Sequence, residues 1–298
     1  ALAGFSIGIW GEQVAFLVDS GTYMLSALAI TTMAVPRTTA GRPETEGTGS
    51  ELSAVWAELR EGVTYLFGSR TMVGILLCLA VVQLGIGAIN VIWVPFMQRT
   101  FGLGPEGLGA VDTAQGLGMA LGAVALGFLA ARVTKRKLAG WSIIFIGGMI
   151  ALMGLAPPFS LANLIPGIGA DVAMAEMTVG QRLLHMPLAL LLYSLLLGVA
   201  LVPAQSALMT MMQLAVPDLK RGRVGSAMNA LTTAAGLVSM AVAAASGEVV
   251  ELRMIYVAAG VIIGVAGVVG LFVLEEPRAV PDDGLSGEGV ELAQASVE

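Results

Sequence analysis

Two carboxylates lie inside apolar stretches of the sequence, Asp19 within residues 14–35 and Asp112 within residues 106–131. A charged group inside hydrocarbon is costly, so it normally faces a cavity, a partner or water. Asp112 comes about six residues after the start of its stretch, roughly 9 Å along a helix. A carboxylate at that depth can be neutral when it is shielded from water and ionised when water reaches it. Asp112 is therefore the stronger candidate for proton coupling, and Asp19 is the weaker one. The alternative for Asp112 is a place at the wet interface or a cap on local hydrogen bonds.

Polar side chains recur at helical spacing in four of the apolar stretches, and each set marks one helix face. The candidates for lining a substrate cavity are Gln83, Asn90, Gln115, Gln205, Met209, Asn229 and Thr233. Amides together with adaptable methionines suit a cavity for large organic molecules of mixed polarity. The alternative is interhelical hydrogen bonding and packing, which explains many amides in membranes. Four helices with one polar stripe each favour a shared cavity.

The residues that metal sites and hydrolytic enzymes need are scarce. The chain has one cysteine, Cys78, and one histidine, His185, which excludes a disulfide framework, a thiolate cluster and a His-based metal site or triad. The sequence contains no HExxH, GxSxG or GxxxxGK[ST] motif. We therefore expect no enzymatic activity, no metal, no cofactor and no nucleic-acid partner.

The composition requires a lipid environment. Of the 298 residues, 56% are hydrophobic and 12% are charged, against about 25% charged in soluble domains. Beyond residues 14–35, six stretches are long and apolar enough for transmembrane helices. They are residues 72–98, 106–131, 138–156, 187–213, 224–246 and 254–274. The predicted fold is an all-α, multi-pass membrane bundle.

Four segments organise the chain. Residues 1–35 hold the end of one span and the whole of the next, and residues 36–71 form a polar linker that contains an amphipathic helix. We predict that this helix lies on the membrane surface, the alternative being a solvated linker helix. Residues 72–274 hold the six-helix bundle, interrupted by a long connection at 157–186, and residues 275–298 form an acidic, disordered tail.

The distribution of lysine and arginine predicts the orientation. Of the 15 basic residues, only Arg99, Arg182 and Arg253 fall on one side of the predicted spans. Basic residues concentrate in cytoplasmic loops. The linker, the other basic turns and the C-terminus are therefore predicted to be cytoplasmic, in a protein of the cell membrane.

A basic turn ends the stretch that begins near Asp112. The segment GFLAARVTKRK resembles the cytoplasmic turn motif of the major facilitator superfamily, GxxxDRxGRRK. The matching positions are Gly127, Arg132, Arg136 and Lys137, and Lys135 stands where the first arginine of the basic triplet is usual. Ala131 replaces the acidic residue of the motif and Thr134 its second glycine, which weakens the charge pairing expected of the turn.

Two further stretches resemble one branch of that superfamily, the siderophore (enterobactin-type) exporters and macrolide-efflux-like proteins. FLVDSGTYMLSAL at residues 16–28 is similar to the sixth-helix pattern of this branch. VPDLKRGRVGSAMNALT at residues 216–232 is similar to its turn into the eleventh helix, where Gly222 and Arg223 match. The resemblance makes residues 14–35 the sixth helix and residues 254–274 the twelfth.

The resemblance implies a secondary transporter in which two six-helix bundles alternate around a site at the midplane. It implies export of amphipathic organic solutes such as siderophores or drugs, driven by proton antiport. The expected partners are a small-molecule substrate, protons, the lipid bilayer and the N-terminal bundle that this sequence lacks. The alternative is a non-transporting membrane scaffold or regulator derived from the same fold, which the replacements at Ala131 and Thr134 favour.

Overall fold

A computed structural model describes residues 12–32, 51–157, 186–217, 220–247 and 249–274. Within these ranges the chain forms eight α-helices. They are α1 (Glu12–Thr32), α2 (Glu51–Gly68), α3 (Arg70–Phe101), α4 (Pro105–Leu129), α5 (Lys135–Gly154), α6 (Leu188–Ala215), α7 (Arg221–Ser246) and α8 (Leu252–Val273). The predictions for residues 1–9, 36–50 and 275–298, and for nearly all of 157–186, lie outside the described residues.

Helices α3 to α8 are each long and apolar enough to span a membrane, so the six predicted spans are confirmed in the described part of the chain. Their bounds differ from the prediction by a few residues. Helix α3 runs past the predicted end at residue 98 and stops at Gly102, which adopts a left-handed conformation with φ of 65°. The Gly102 N–H donates a hydrogen bond to the carbonyl of Gln98 and the Leu103 N–H donates one to the carbonyl of Met97, an arrangement that ends many helices.

The six spans pack in a sequence of neighbours that differs from their order in the chain: α4 on α6, α6 on α5, α5 on α8, α8 on α3 and α3 on α7. Helix α8 is antiparallel to α5 because Gly147 faces Gly260 and Gly154 faces Arg253. A Cβ atom on Gly147 would lie 2.5 Å from the carbonyl oxygen of Gly260, so this contact requires glycine. Close approach through small residues is a common basis of helix association in membranes.

The predicted amphipathic helix is present as α2, and it packs mainly on α7 and less on α3. Leu66 is fully buried there, and a Cβ atom on Gly62 would overlap the carbonyl oxygen of Arg223. Only Ser69 separates α2 from α3. Helix α2 therefore lies beside the end of the first span of the bundle.

Helix α1 has a different environment. Its described side chains are exposed, including Phe16 at 72% and Tyr23 at 71%. An apolar helix needs lipid or further protein to cover such a surface. The prediction that this segment spans the membrane stays a prediction.

Candidate functional site

A cavity of about 310 Å³ lies within the six-helix bundle. Five of the six helices contribute to its wall, and α7 does not. The lining residues are Ile86, Ile89, Asn90, Trp93, Asp112, Gln115, Ile146, Ile150, Met153, Leu197, Leu201 and Tyr256. The wall is thus mainly apolar, with a small group of polar side chains, which is the usual composition of a ligand site.

Three polar residues selected from the sequence meet in this cavity. Asn90 comes from α3, while Asp112 and Gln115 come from one face of α4. Helix α4 is held against α6, because a Cβ atom on Gly198 would overlap the backbone carbonyl of Gln115. The side chains of Asp112 and Asn90 are exposed, and no described residue donates a hydrogen bond to the Asp112 carboxylate. Asp112 and Asn90 therefore present polar groups to the cavity.

Tyr256, which lines the cavity, belongs to an aromatic stack. The ring of Tyr256 is 1% exposed and stacks on Phe96, with ring centroids 4.1 Å apart. Phe96 also meets Phe101 edge to face at 5.4 Å. The Arg253 guanidinium lies 5.6 Å above the Phe101 ring and donates a hydrogen bond of 3.2 Å to the carbonyl of Ala156. These contacts hold the start of α8 against the ends of α3 and α5.

Sequence reasoning missed Trp93 and Tyr256. A signal for Trp93 was present, since it continues the face of Gln83 and Asn90 by one further turn. Tyr256 has no comparable signal, because its helix contains no polar stripe and the stack with Phe96 depends on tertiary packing.

The remaining cavity candidates lie elsewhere in the bundle. Gln83 is half-buried beside Gly236 of α7. Four others are exposed and are not among the residues that line the cavity: Gln205, Met209, Asn229 and Thr233. Asp19 is exposed on α1. In the described part of the chain, none of these six residues lines the cavity that contains Asp112, and their proposed roles stay predictions.

The two basic turns differ in their contacts. At the turn between α4 and α5, Arg132, Lys135 and Lys137 are exposed, Arg136 is half-buried, and none of the four pairs with a described carboxylate. Gly127 has open space around it, as does Gly222 in the first turn of α7. Arg223 of that turn instead forms an ion pair of 2.7 Å with Glu61 of α2. Glu61 was not selected from the sequence as a pairing residue.

The six membrane-length helices, five of which line a cavity that contains polar side chains, define a multi-pass membrane protein. The sequence profile of the Major Facilitator Superfamily matches residues 75–296. The chain belongs to the major facilitator superfamily, whose members are secondary transporters that bind small-molecule substrates. No curated protein and no solved structure matches the chain.

Proposed function

We propose that this chain is part of a proton-coupled exporter of amphipathic organic solutes, and that the cavity around Asp112 binds the substrate. The observation that supports this best is the meeting of Asp112, Asn90 and Gln115 in an otherwise apolar cavity. Three polar groups fix the orientation of a ligand, while the surrounding aliphatic and aromatic side chains cover its apolar part. Siderophores or drugs, as the branch resemblance implies, fit this description.

The carboxylate of Asp112 is the proposed coupling group. A protonated Asp112 is neutral and tolerates an apolar surrounding, whereas the ionised form needs water or a cationic partner. If the cavity opens to one side of the membrane at a time, the proton taken up on one side is released on the other. Substrate bound in exchange for that proton moves outward. The Lys and Arg distribution supports cytoplasmic basic turns and a location in the cell membrane.

Exposed apolar surface supports a second helix bundle as the partner of this chain. The exposed apolar side chains of α1, and those on the outward faces of α4 and α7, include Phe16, Leu121 and Val238 at 55–72%. We propose that α1 is the last helix of the other bundle and that residues 36–71 link the two. Gln205, Met209, Asn229 and Thr233 are exposed, and they would then complete the site from the side of the second bundle.

Replacing Asp112 with Asn tests the coupling role. The whole transporter carrying Asp112→Asn is reconstituted in vesicles with an imposed pH gradient. We expect its rate of gradient-driven efflux to be at least about tenfold lower than that of the original protein. Asp112→Glu keeps the ionisable group and should retain part of the activity. Asp19→Asn is the matched control on the weaker candidate. Unchanged efflux with Asp112→Asn would remove this residue from the coupling role.

The alternative proposal is a membrane scaffold or regulator built on the same fold. The observation in its favour is the basic turn between α4 and α5, where Ala131 replaces the acidic residue of the motif. A scaffold would produce no substrate flux in the same vesicles, whatever the residue at position 112. Gradient-driven flux that depends on Asp112 decides for the transporter.

A further inference from the structure

An open groove of about 570 Å³ runs along α2 and reaches the residue before α7. Its lining residues are Trp56, Ala57, Arg60, Glu61, Thr64, Tyr65 and Lys220. Helix α2 supplies all of these except Lys220, which directly precedes α7. Ser69 alone separates α2 from the first span of the bundle, so the groove lies beside the end of that span.

The charge of the groove is positive. Arg60 and Lys220 both line it, and Lys220 Nζ lies 5.5 Å from the centroid of the Tyr65 ring. The negative charge of Glu61 is compensated by Arg223 at 2.7 Å. The N-terminal end of α7, which lies next to Lys220, adds the positive pole of the helix dipole. Such a site attracts an anionic group, and a phosphate can accept hydrogen bonds from both Arg60 and Lys220.

The apolar face of α2 is only half covered by protein. Leu66 is fully buried against the bundle, but Trp56 is 70% exposed and Phe67 is 61% exposed. At 3.6 residues per turn, Trp56, Phe67 and Arg60 project within about 40° of one another. Exposed aromatic rings beside a basic side chain are typical of a helix at the membrane–water interface. A soluble anion would bind the cations but leave these rings in water.

We propose that the groove along α2 binds the phosphate group of an anionic phospholipid of the surrounding bilayer. Arg60 and Lys220 contact the phosphate, and Trp56 with Phe67 inserts between the lipid chains. The site fixes α2, and with it the turn before α7, to lipids of the leaflet that carries negative charge. This proposal is independent of the substrate and of proton coupling.

Fluorescence of Trp56 tests the site directly. The full chain with Trp10, Trp93 and Trp141 replaced by Phe retains Trp56 as its single tryptophan. It is reconstituted in phosphatidylcholine vesicles that contain a chain-brominated quencher lipid, either phosphatidylglycerol or phosphatidylcholine. We expect the anionic quencher to act at a several-fold lower mole fraction. If the triple variant folds poorly, hydrogen exchange of α2 is measured in the unsubstituted chain instead. We expect this exchange to be slower in phosphatidylglycerol vesicles than in phosphatidylcholine vesicles.

The double variant Arg60→Gln/Lys220→Gln should lower the preference for phosphatidylglycerol by about tenfold, since each basic side chain near an anionic surface contributes to binding. Arg132→Gln/Lys135→Gln removes the same charge from the other basic turn and should leave the preference unchanged. Equal quenching by both lipids overturns the proposal, as does a preference that survives the first double variant or that the second abolishes. Quenching that appears only after removal of residues 275–298 also overturns it, because the acidic tail would then occupy the groove.

Discussion

Two regions of the bundle differ in how far other protein covers them. The first is the contact between α5 and α8, and the second is formed by the outward faces of α4 and α7. Half of the most apolar window of α5 is buried inside the protein, against 17% for α4 and 22% for α7. Where α5 meets α8, glycines bring the two backbones together. On α4, by contrast, Leu117, Val124 and Phe128 are 58–69% exposed. We call the first region the packed side and the second the open side.

The polar candidates for the site are distributed unevenly over these helices. Asp112 and Gln115 lie on α4, and Asn229 and Thr233 lie on α7, whereas α5 contributes only apolar residues to the cavity. In a helix bundle that alternates between conformations, one surface must stay packed while another changes its partner. Substitutions on the packed side should therefore alter stability, and those of the polar residues on α3, α4 and α7 should alter function.

Gly147→Ala should give the largest loss of stability. The added Cβ atom would overlap the backbone nitrogen of Gly264 and lie 2.5 Å from the carbonyl oxygen of Gly260. Backbone atoms cannot move aside unless α5 and α8 separate, so we expect a loss of about 1–3 kcal/mol. Cys78, the single cysteine, is 5% exposed. Its reaction with a thiol-specific dye during heating in detergent reports the unfolding.

The neighbouring glycine provides the matched control. A Cβ atom on Gly148 would meet nothing within 4 Å, so Gly148→Ala should be neutral or stabilising by about 0.5–1 kcal/mol, because alanine is the better helix former. Equal unfolding midpoints for Gly147→Ala and Gly148→Ala would show that the stability of the packed side does not depend on close backbone contact.

Gly62→Ala should have a smaller and more local effect. A Cβ atom there would overlap the carbonyl oxygen of Arg223 and lie 2.9 Å from the Cβ atom of Ala227. Because α2 packs at the edge of the bundle, it can move away while the six spans stay assembled. We expect faster hydrogen exchange across α2, on the order of tenfold, with little change in the Cys78 midpoint. A Cβ atom on Gly68 would meet nothing within 4 Å. The amide hydrogens of α2 in the Gly68→Ala variant should therefore exchange at the rate of the original protein.

The ion pair between Arg223 and Glu61 should contribute less still. Both side chains are nearly half exposed, at 44% and 45%, and exposed pairs are typically worth about 0.2–1 kcal/mol. A double-mutant cycle of Arg223→Gln and Glu61→Gln, followed by exchange of α2, measures the coupling, which should decrease as salt is added. Arg132→Gln, from the turn without a described partner, should leave α2 unchanged. A coupling above about 2 kcal/mol would mean that the pair is shielded from solvent.

The helices of the packed side could be predicted from the sequence because apolar length alone defines them. Their neighbours could not: Gly147 and Gly148 are adjacent glycines, and only the approach of α8 makes one of them essential. Asn90, Asp112 and Gln115 were selected by depth and helical spacing, and the structure places them in one cavity. Tyr256 was missed because its position depends on stacking with Phe96 across two helices.

The proposed substrate site is tested most sharply by two asparagines that the sequence does not distinguish. Asn90 and Asn229 are both exposed asparagines of apolar helices, but only Asn90 lines the described cavity. Replacement of either by Ala should change the unfolding free energy by no more than about 0.5 kcal/mol, since neither side chain is buried. Asn90→Ala should lower efflux by the whole transporter about tenfold through loss of one substrate hydrogen bond. Asn229→Ala should lower it less, since its contribution requires the second bundle. An equal loss in both variants would extend the substrate site across α7, and a stability loss in either would assign that amide to helix packing.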